Sequence, residues 1–179
     1  MLADPMLVEF FAAGAEVKLG RPRKFIEGYL KGRPKQVAGE LREGVVAMKF
    51  TPMQDVAYRQ TFGAAGFPWG RQVRVVHGKP REAEGTTLVA SYCCSFAMCI
   101  HGITVLHLID NEVKIVPILK PIYDAFYDNF PKIEGVGGLV PQKGAWDSEK
   151  LQFKFWFPED VTSTILFASS RAVDTARSG

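Results

Sequence analysis

The feature that most constrains this fold is a long uncharged segment in the middle of the chain. Between Glu84 and Asp110 there is no Asp, Glu, Lys or Arg. Charged side chains are rarely buried without a partner, whereas uncharged, largely apolar segments form the interior of domains. The sequence therefore predicts that this segment lies in a core. A chain of 179 residues has the size of one ordinary domain, so we expect a single domain over 1–179.

Hydrophobic spacing and turn residues predict helices first and strands later. The predicted helices cover 5–17, 22–31, 52–62 and 121–130, with a short one starting at Pro34 and another favoured after Pro158. The predicted strands, which are rich in β-favouring residues, cover 45–50, 71–78, 86–100, 103–109, 113–120 and 151–157. This order predicts an α+β fold with N-terminal helices packed on a curved antiparallel sheet. We place the core at about 20–125 and a C-terminal extension at about 131–179.

Composition and charge exclude several classes of protein. The net charge of +3 is small and scattered, which argues against a nucleic-acid partner. No run of 18 apolar residues is free of polar interruption, so we expect no membrane span. The N-terminus, "MLADPMLVEFF", is typical of neither a secretory signal nor a transit peptide. We therefore expect an intracellular protein of the cytoplasm or an organelle matrix.

Neither the cysteines nor the histidines form a metal-binding pattern. Cys93, Cys94 and Cys99 are odd in number and lack a second ligand pair, so we interpret them as reduced, buried residues in a reducing compartment. His77 and His101 fall at the ends of predicted strands, and no two histidines share a face at ligand spacing. We expect no metal and no cofactor.

Two stretches resemble the nuclear transport factor 2-like superfamily, which includes SnoaL-like cyclases and ketosteroid isomerase. "FIEGYLKGRPKQVAGELREGVVAMKF" is similar to the opening helices and first strand of that family, and "ITVLHLIDNEVKIV" to its penultimate strand, turn and entry into the last strand. The usual turn glycine is missing between Asp110 and Lys114. The resemblance covers roughly 20–125 and implies a cone-shaped α+β barrel with an apolar cavity.

The resemblance also implies where catalytic acids would lie, and this chain has none there. The matching positions are Thr51, Thr104 and Lys120, with Tyr92, Leu106 and Leu108 as further expected pocket residues. A hydroxyl is a poor base near neutral pH, so the class of enzyme that works by proton transfer loses its base. Asp55 and Tyr58, after the first strand, are the remaining candidates for catalysis. The sequence leaves open whether the chain is an enzyme and favours a chain that is not.

The strands 103–109 and 113–120 carry apolar residues on both faces, which predicts that both faces are covered. We expect one face to contact a second copy or another protein through Ile103, Val105, His107, Ile109, Val113, Ile115 and Leu119. The alternative is that the stripe of Phe153, Phe155 and Phe157 covers this face from within the chain. The function predicted is a non-catalytic module, either a homodimer or an accessory subunit, with a cavity for an apolar molecule. The alternative function is a SnoaL-like isomerase, cyclase or dehydratase.

Overall fold

The computed structural model describes residues 5–32, 44–63, 85–131 and 140–169, which form an α+β fold. The α-helices are α1 (Pro5–Lys18), α2 (Arg23–Tyr29), α3 (Pro52–Phe62), α4 (Gly85–Cys99) and α5 (Lys120–Asp128). The strands are β1 (Lys31–Gly32), β2 (Val46–Ala47), β3 (Thr104–Ile109), β4 (Lys143–Asp147), β5 (Gln152–Trp156) and β6 (Thr162–Ser169). The predicted strand 71–78 and the short helix from Pro34 lie outside the described residues.

Four of the predicted helices and two of the longer strands are confirmed within a few residues. α1, α2, α3 and α5 match the helices predicted at 5–17, 22–31, 52–62 and 121–130, and β3 and β5 match the strands at 103–109 and 151–157. At the start of α3, the Thr51 hydroxyl accepts from the Gln54 backbone N–H while the Gln54 side chain accepts from the Thr51 N–H. This capping box satisfies amides that the helix leaves unpaired, and Pro52 fits the first turn because it has no N–H to satisfy.

The four-stranded sheet is mixed, with the order β3-β6-β5-β4. β6 pairs in parallel with β3 and antiparallel with β5, and β5 pairs antiparallel with β4. The prediction of an antiparallel sheet from residues 20–125 was therefore wrong, since three of the four strands come from 143–169. These strands form an open sheet, and no closed barrel is present among the described residues.

The segment predicted as a strand at 86–100 is the helix α4. Its length is the physical reason. Fifteen residues in a strand would extend about 50 Å, longer than the diameter of an ordinary domain of this size, whereas the same residues span about 22 Å as a helix. Small residues such as Ala90, Ser91, Cys94 and Ala97 let neighbouring elements approach closely, and all four are buried. The Ser91 hydroxyl donates to the Leu88 carbonyl, so its polar group is satisfied inside the helix.

The predicted strand at 113–120 is also helical. A 3-10 turn at Glu112–Lys114 leads into a π-helical turn at Ile115–Leu119, which continues directly into α5. The Asn111 side chain caps the start by accepting from the Val113 N–H. Pro117, which cannot donate to a strand ladder, sits inside this segment. The buried residues recur at helical spacing, as Ile115, Leu119, Tyr123, Phe126 and Phe130.

The helix favoured after Pro158 was wrong as well, because Pro158–Asp160 is a 3-10 turn and Thr162–Ser169 is β6. Along β6, Ser163, Ile165, Phe167 and Ser169 are buried and alternate with more exposed residues. A period of two is the strand pattern, and the threonines favour an extended backbone.

The core lies between the helices and one face of the sheet. On this inner face, Phe153, Phe155, Ile165 and Phe167 are buried, and the Tyr123 ring of α5 lies 5.1 Å from that of Phe167. α4 packs between α1 and α2, α5, and the strands β3 and β6. The helices therefore cover one face of the sheet, and the opposite, outer face is not covered by any described helix.

Gly144 in β4 marks a close approach between the sheet and α5. A Cβ at this position would lie 2.7 Å from a ring carbon of Tyr127, which packs against Phe153 and Phe155. We expect Gly144→Ala to lower the free energy of unfolding by about 1–3 kcal/mol, because the ring must move within a packed layer. Urea unfolding of the two proteins measures this difference.

Gly28→Ala is the matched control. Gly28 is exposed in α2, and a Cβ there meets nothing within 4 Å. Alanine at a helical glycine of this kind should stabilise by about 0.5–1 kcal/mol. Equal effects of the two substitutions would contradict the contact between Gly144 and Tyr127.

Candidate functional site

Asp55, the candidate base, lies at the first turn of α3 and is bound by two arginines. One carboxylate oxygen accepts from Arg23 of α2 and the other lies 2.7 Å from Arg59 Nη2. The pKa of Arg23 is raised, mainly by the hydrogen bond from its side chain to Glu27 and less by the one to Asp55. Because both carboxylate oxygens hold guanidinium groups, this arrangement suits a link between α2 and α3 better than a proton acceptor.

Tyr58 and Tyr92 meet in an aromatic cluster beside this ion pair. Their ring centroids are 6.2 Å apart, and the Phe62 ring lies 4.9 Å from each of them. The Arg23 guanidinium lies over the Phe50 ring, 5.1 Å from its centroid. Burial raises the pKa of both tyrosines, so their hydroxyls stay protonated near neutral pH. The Tyr92 hydroxyl is buried and has no hydrogen-bond partner in the part of the chain that the structure describes.

The three cysteines lie buried in α4 and form no disulfide. Burial raises the pKa of Cys93 to about 12 and holds the pKa values of Cys94 and Cys99 above their ordinary range. The thiolate is the nucleophilic form of cysteine. The environment of these side chains therefore suits packing rather than covalent catalysis.

His107 forms a buried polar contact between the sheet and α5. Its Nδ1 lies 2.9 Å from the Tyr123 hydroxyl. Burial lowers the pKa of His107 to about 4. The imidazole is thus neutral over the physiological range, and it ties β3 to the helices that cover the inner face.

The residues expected to line a pocket do not come together. Thr51 is an exposed helix cap, and Lys120 forms an ion pair with Asp124 on the first turn of α5. The pocket expected at Thr104, Leu106 and Leu108 is replaced by an exposed surface, because these three residues point to the outer face of the sheet.

The residues expected at an interface mostly face the opposite way. Val105, His107 and Ile109 point to the inner face, and Ile115 and Leu119 are 0% exposed within the core of the chain itself. Ile103 is half-buried just before β3, and Val113 is 79% exposed on the 3-10 turn. The alternation predicted for 103–109 therefore separates the inward residues from Thr104, Leu106 and Leu108, whereas 113–120 is helical and has no such alternation. The stripe of Phe153, Phe155 and Phe157 lies in the same core cluster as Ile115 and Leu119, with Val105 and Ile109 packed against it, so this side is covered from within the chain, as the alternative had it.

The outer face of β3 and β6 carries an exposed apolar surface, which we call the leucine patch and define as Leu106, Leu108 and Leu166. Leu106 is 55% exposed and Leu108 is 50% exposed, and Leu106 is the register partner of Leu166. The remaining outward residues of these two strands are uncharged, namely Thr104, Thr162, Thr164 and Ala168. Across β4 and β5 the same face becomes polar, with Lys143, Asp147 and Lys154.

The sequence shows that β3 has two apolar faces, but it does not show which of them lies on the surface. "ITVLHLI" is apolar at every second position on both faces. His107 belongs to the inward set, where the Tyr123 hydroxyl offers it the buried hydrogen-bond partner that an imidazole in a core requires. Arg23 was missed as the partner of Asp55, since the two are distant in sequence.

Among residues 5–32, 44–63, 85–131 and 140–169, no cluster of three or more His, Cys, Asp or Glu residues is placed to hold a metal ion. Among the described helices, none is both long enough and apolar enough to cross a membrane.

The buried His107 predicts a pH dependence of stability. Its pKa falls from 6.5 to about 4 on folding, so the unfolded chain binds more protons between these values. The stabilising contribution is complete above pH 6.5 and is lost as the pH falls towards 4, by up to about 3 kcal/mol. In the wild type, the free energy of unfolding should rise between pH 4 and pH 6.5. His107→Gln should reduce this rise by up to about 3 kcal/mol, measured by urea unfolding at each pH.

A loss of stability between pH 6.5 and 4 that is as large in His107→Gln as in the wild type would assign this pH dependence to other groups. A wild-type profile that matches His107→Gln would show that His107 titrates freely in the folded chain.

Comparisons with protein-family models, with curated proteins and with solved structures found no match for this chain.

Proposed function

We propose that the chain is a non-catalytic binding and assembly module, acting as a homodimer or as an accessory subunit, and that the leucine patch is its contact surface. The observation that carries the proposal is the pair Leu106 and Leu108, each at least half exposed on one face of one strand. Isolated exposed leucines are common on proteins, whereas contiguous apolar surface is the feature associated with interaction sites, and these leucines are contiguous.

The distribution of charge on the outer face supports this function. The uncharged half formed by β3 and β6 adjoins a charged half formed by β4 and β5. An apolar centre beside a polar rim is the usual anatomy of a protein–protein interface. Burying one leucine side chain completely contributes roughly 1.5–3 kcal/mol, so three partly exposed leucines can contribute several kcal/mol before the entropy of association is subtracted.

The chemistry of the candidate catalytic groups favours binding over catalysis. Asp55 is held by two arginines, the three thiols are kept protonated by burial, and His107 is neutral and enclosed. The cone-shaped barrel, the apolar-ligand cavity and the SnoaL-like alternative remain predictions of the family resemblance, and the proposed contact surface does not depend on them.

The test is a charge placed in the leucine patch. Leu106→Lys with Leu108→Lys should reduce the assembly to the 19.8 kDa monomer in sedimentation, because burying two ammonium groups in a contact is unfavourable. The variant should stay folded, with an unfolding free energy within about 0.5 kcal/mol of wild type, since both side chains are already exposed.

Thr162→Lys serves as the matched control, because it adds a charge to the outer face at the polar end of β6, beside Trp156. This variant should keep the wild-type mass. A wild-type chain that sediments as a free monomer, alone and in extracts of its source, would contradict the proposal.

A further inference from the structure

β3 is an edge strand whose open side carries a defined set of backbone groups. The Thr164 N–H donates to the Ile103 carbonyl at 2.9 Å, which shows that the backbone of residue 103 points towards β6. Because N–H and C=O groups alternate sides along a strand, those of Val105, His107 and Ile109 also point towards β6. The N–H and C=O groups of Thr104, Leu106 and Leu108 therefore point to the open edge. No described strand pairs with that edge.

This edge lacks the features that normally prevent an edge strand from pairing with a strand of another chain. Natural edge strands carry a lysine, a proline, a bulge or an inward charge, or are very short. β3 has six residues, no charge and no proline, and its register with β6 is continuous from Thr104 to Ile109. A β-strand with unpaired backbone groups and apolar side chains is suited to accept another strand.

We propose that a second copy of this chain adds to the edge of β3, so that two β3 strands pair antiparallel about a twofold axis. This inference rests on the proposed function and names the partner of the leucine patch. The two sheets become one continuous sheet of eight strands, with the outer faces of both copies on the same side.

The sequence of β3 is complementary to itself under this symmetry. Residues that oppose each other across antiparallel strands lie on the same face, so each leucine must meet an outward residue of the other copy. In the register centred on His107, Leu106 lies opposite Leu108 of the second copy, and Val105 lies opposite Ile109 on the inner face. The leucine pairs bring apolar side chains together, and the central His107, which burial keeps neutral, lies opposite His107 of the second copy.

A second copy explains the edge better than an unrelated partner does. A twofold contact uses the same patch on both subunits, which requires a surface that tolerates its own copy. Val105 and Ile109, at the margin of the core, are half-buried. The neighbouring strand would pack beside these side chains on the inner side and beside Leu106 and Leu108 on the outer side.

The experiment is disulfide trapping across the predicted pair. Leu106→Cys with Leu108→Cys places a thiol opposite a thiol at two symmetric positions, where paired residues have Cα atoms about 5.5 Å apart, within the range that a disulfide spans. Mild oxidation should convert most of the variant to a covalent dimer on a non-reducing gel. The native cysteines are buried with raised pKa values, so they do not compete.

The control is Thr164→Cys with Leu166→Cys, on the same outer face but on a strand already paired on both sides. This variant should stay monomeric on the gel. In the wild-type protein, the amides of Leu106 and Leu108 should exchange hydrogen at least tenfold more slowly at high protein concentration than at low. The amides of Val105 and His107, which bond to β6, should be protected at both concentrations.

The outcomes separate this inference from the proposed function. A wild-type assembly that depends on the leucine patch, without cross-linking of the β3 variant and with rapid exchange at Leu106 and Leu108, overturns edge pairing and leaves the assembly function standing. A chain that is monomeric at every concentration and in extracts overturns both. Cross-linking with concentration-dependent protection supports the paired edge.

Discussion

The structure depends on the requirement that an uncharged helix be covered on most of its sides. α4 has buried residues around most of its axis, including Leu88, Cys94, Ala97 and Met98, and only the side of Val89, Tyr92 and Phe96 is more exposed. A helix that is apolar all round is stable inside a domain, whereas an amphipathic helix needs cover along one stripe. α1 and α2, α5, and the strands β3 and β6 each supply part of this cover. The remaining elements are arranged around α4.

Because the helices that surround α4 pack on the inner face of the sheet, the two faces of the sheet differ in burial. The inner face presents a layer of aromatic rings, and the Trp146 ring stacks on Phe167 with centroids 4.8 Å apart. α5 closes this layer with Tyr123 and Tyr127. With these helices committed to the inner face, the outer leucines of β3 have no described helix above them. An apolar surface then persists as a consequence of how the core is filled.

The elements that could be predicted from the sequence are those with a strong local sequence pattern. α3 could be located because Thr51, Pro52 and Gln54 form a recognisable start, and β5 because Phe153 and Phe155 alternate with polar residues. α4 could not be distinguished from a strand by residue type, because its Thr, Val, Tyr and Cys residues favour strands in isolation. Length and small residues decided that case through packing. The ion pair between Arg23 and Asp55 depends on the approach of α2 to α3, which no local pattern encodes.

The orientation of β3 relates its exposed side chains to its open backbone groups. His107 faces inward and reaches Tyr123, and the other odd-numbered residues of β3 turn their side chains to the core with it. The register with β6 makes the same odd-numbered residues use their backbone groups within the sheet. Thr104, Leu106 and Leu108 therefore hold both the exposed side chains and the open backbone groups. A strand that satisfies these hydrogen bonds also packs beside Leu106 and Leu108, so the two contributions to binding are physically coupled in one short strand.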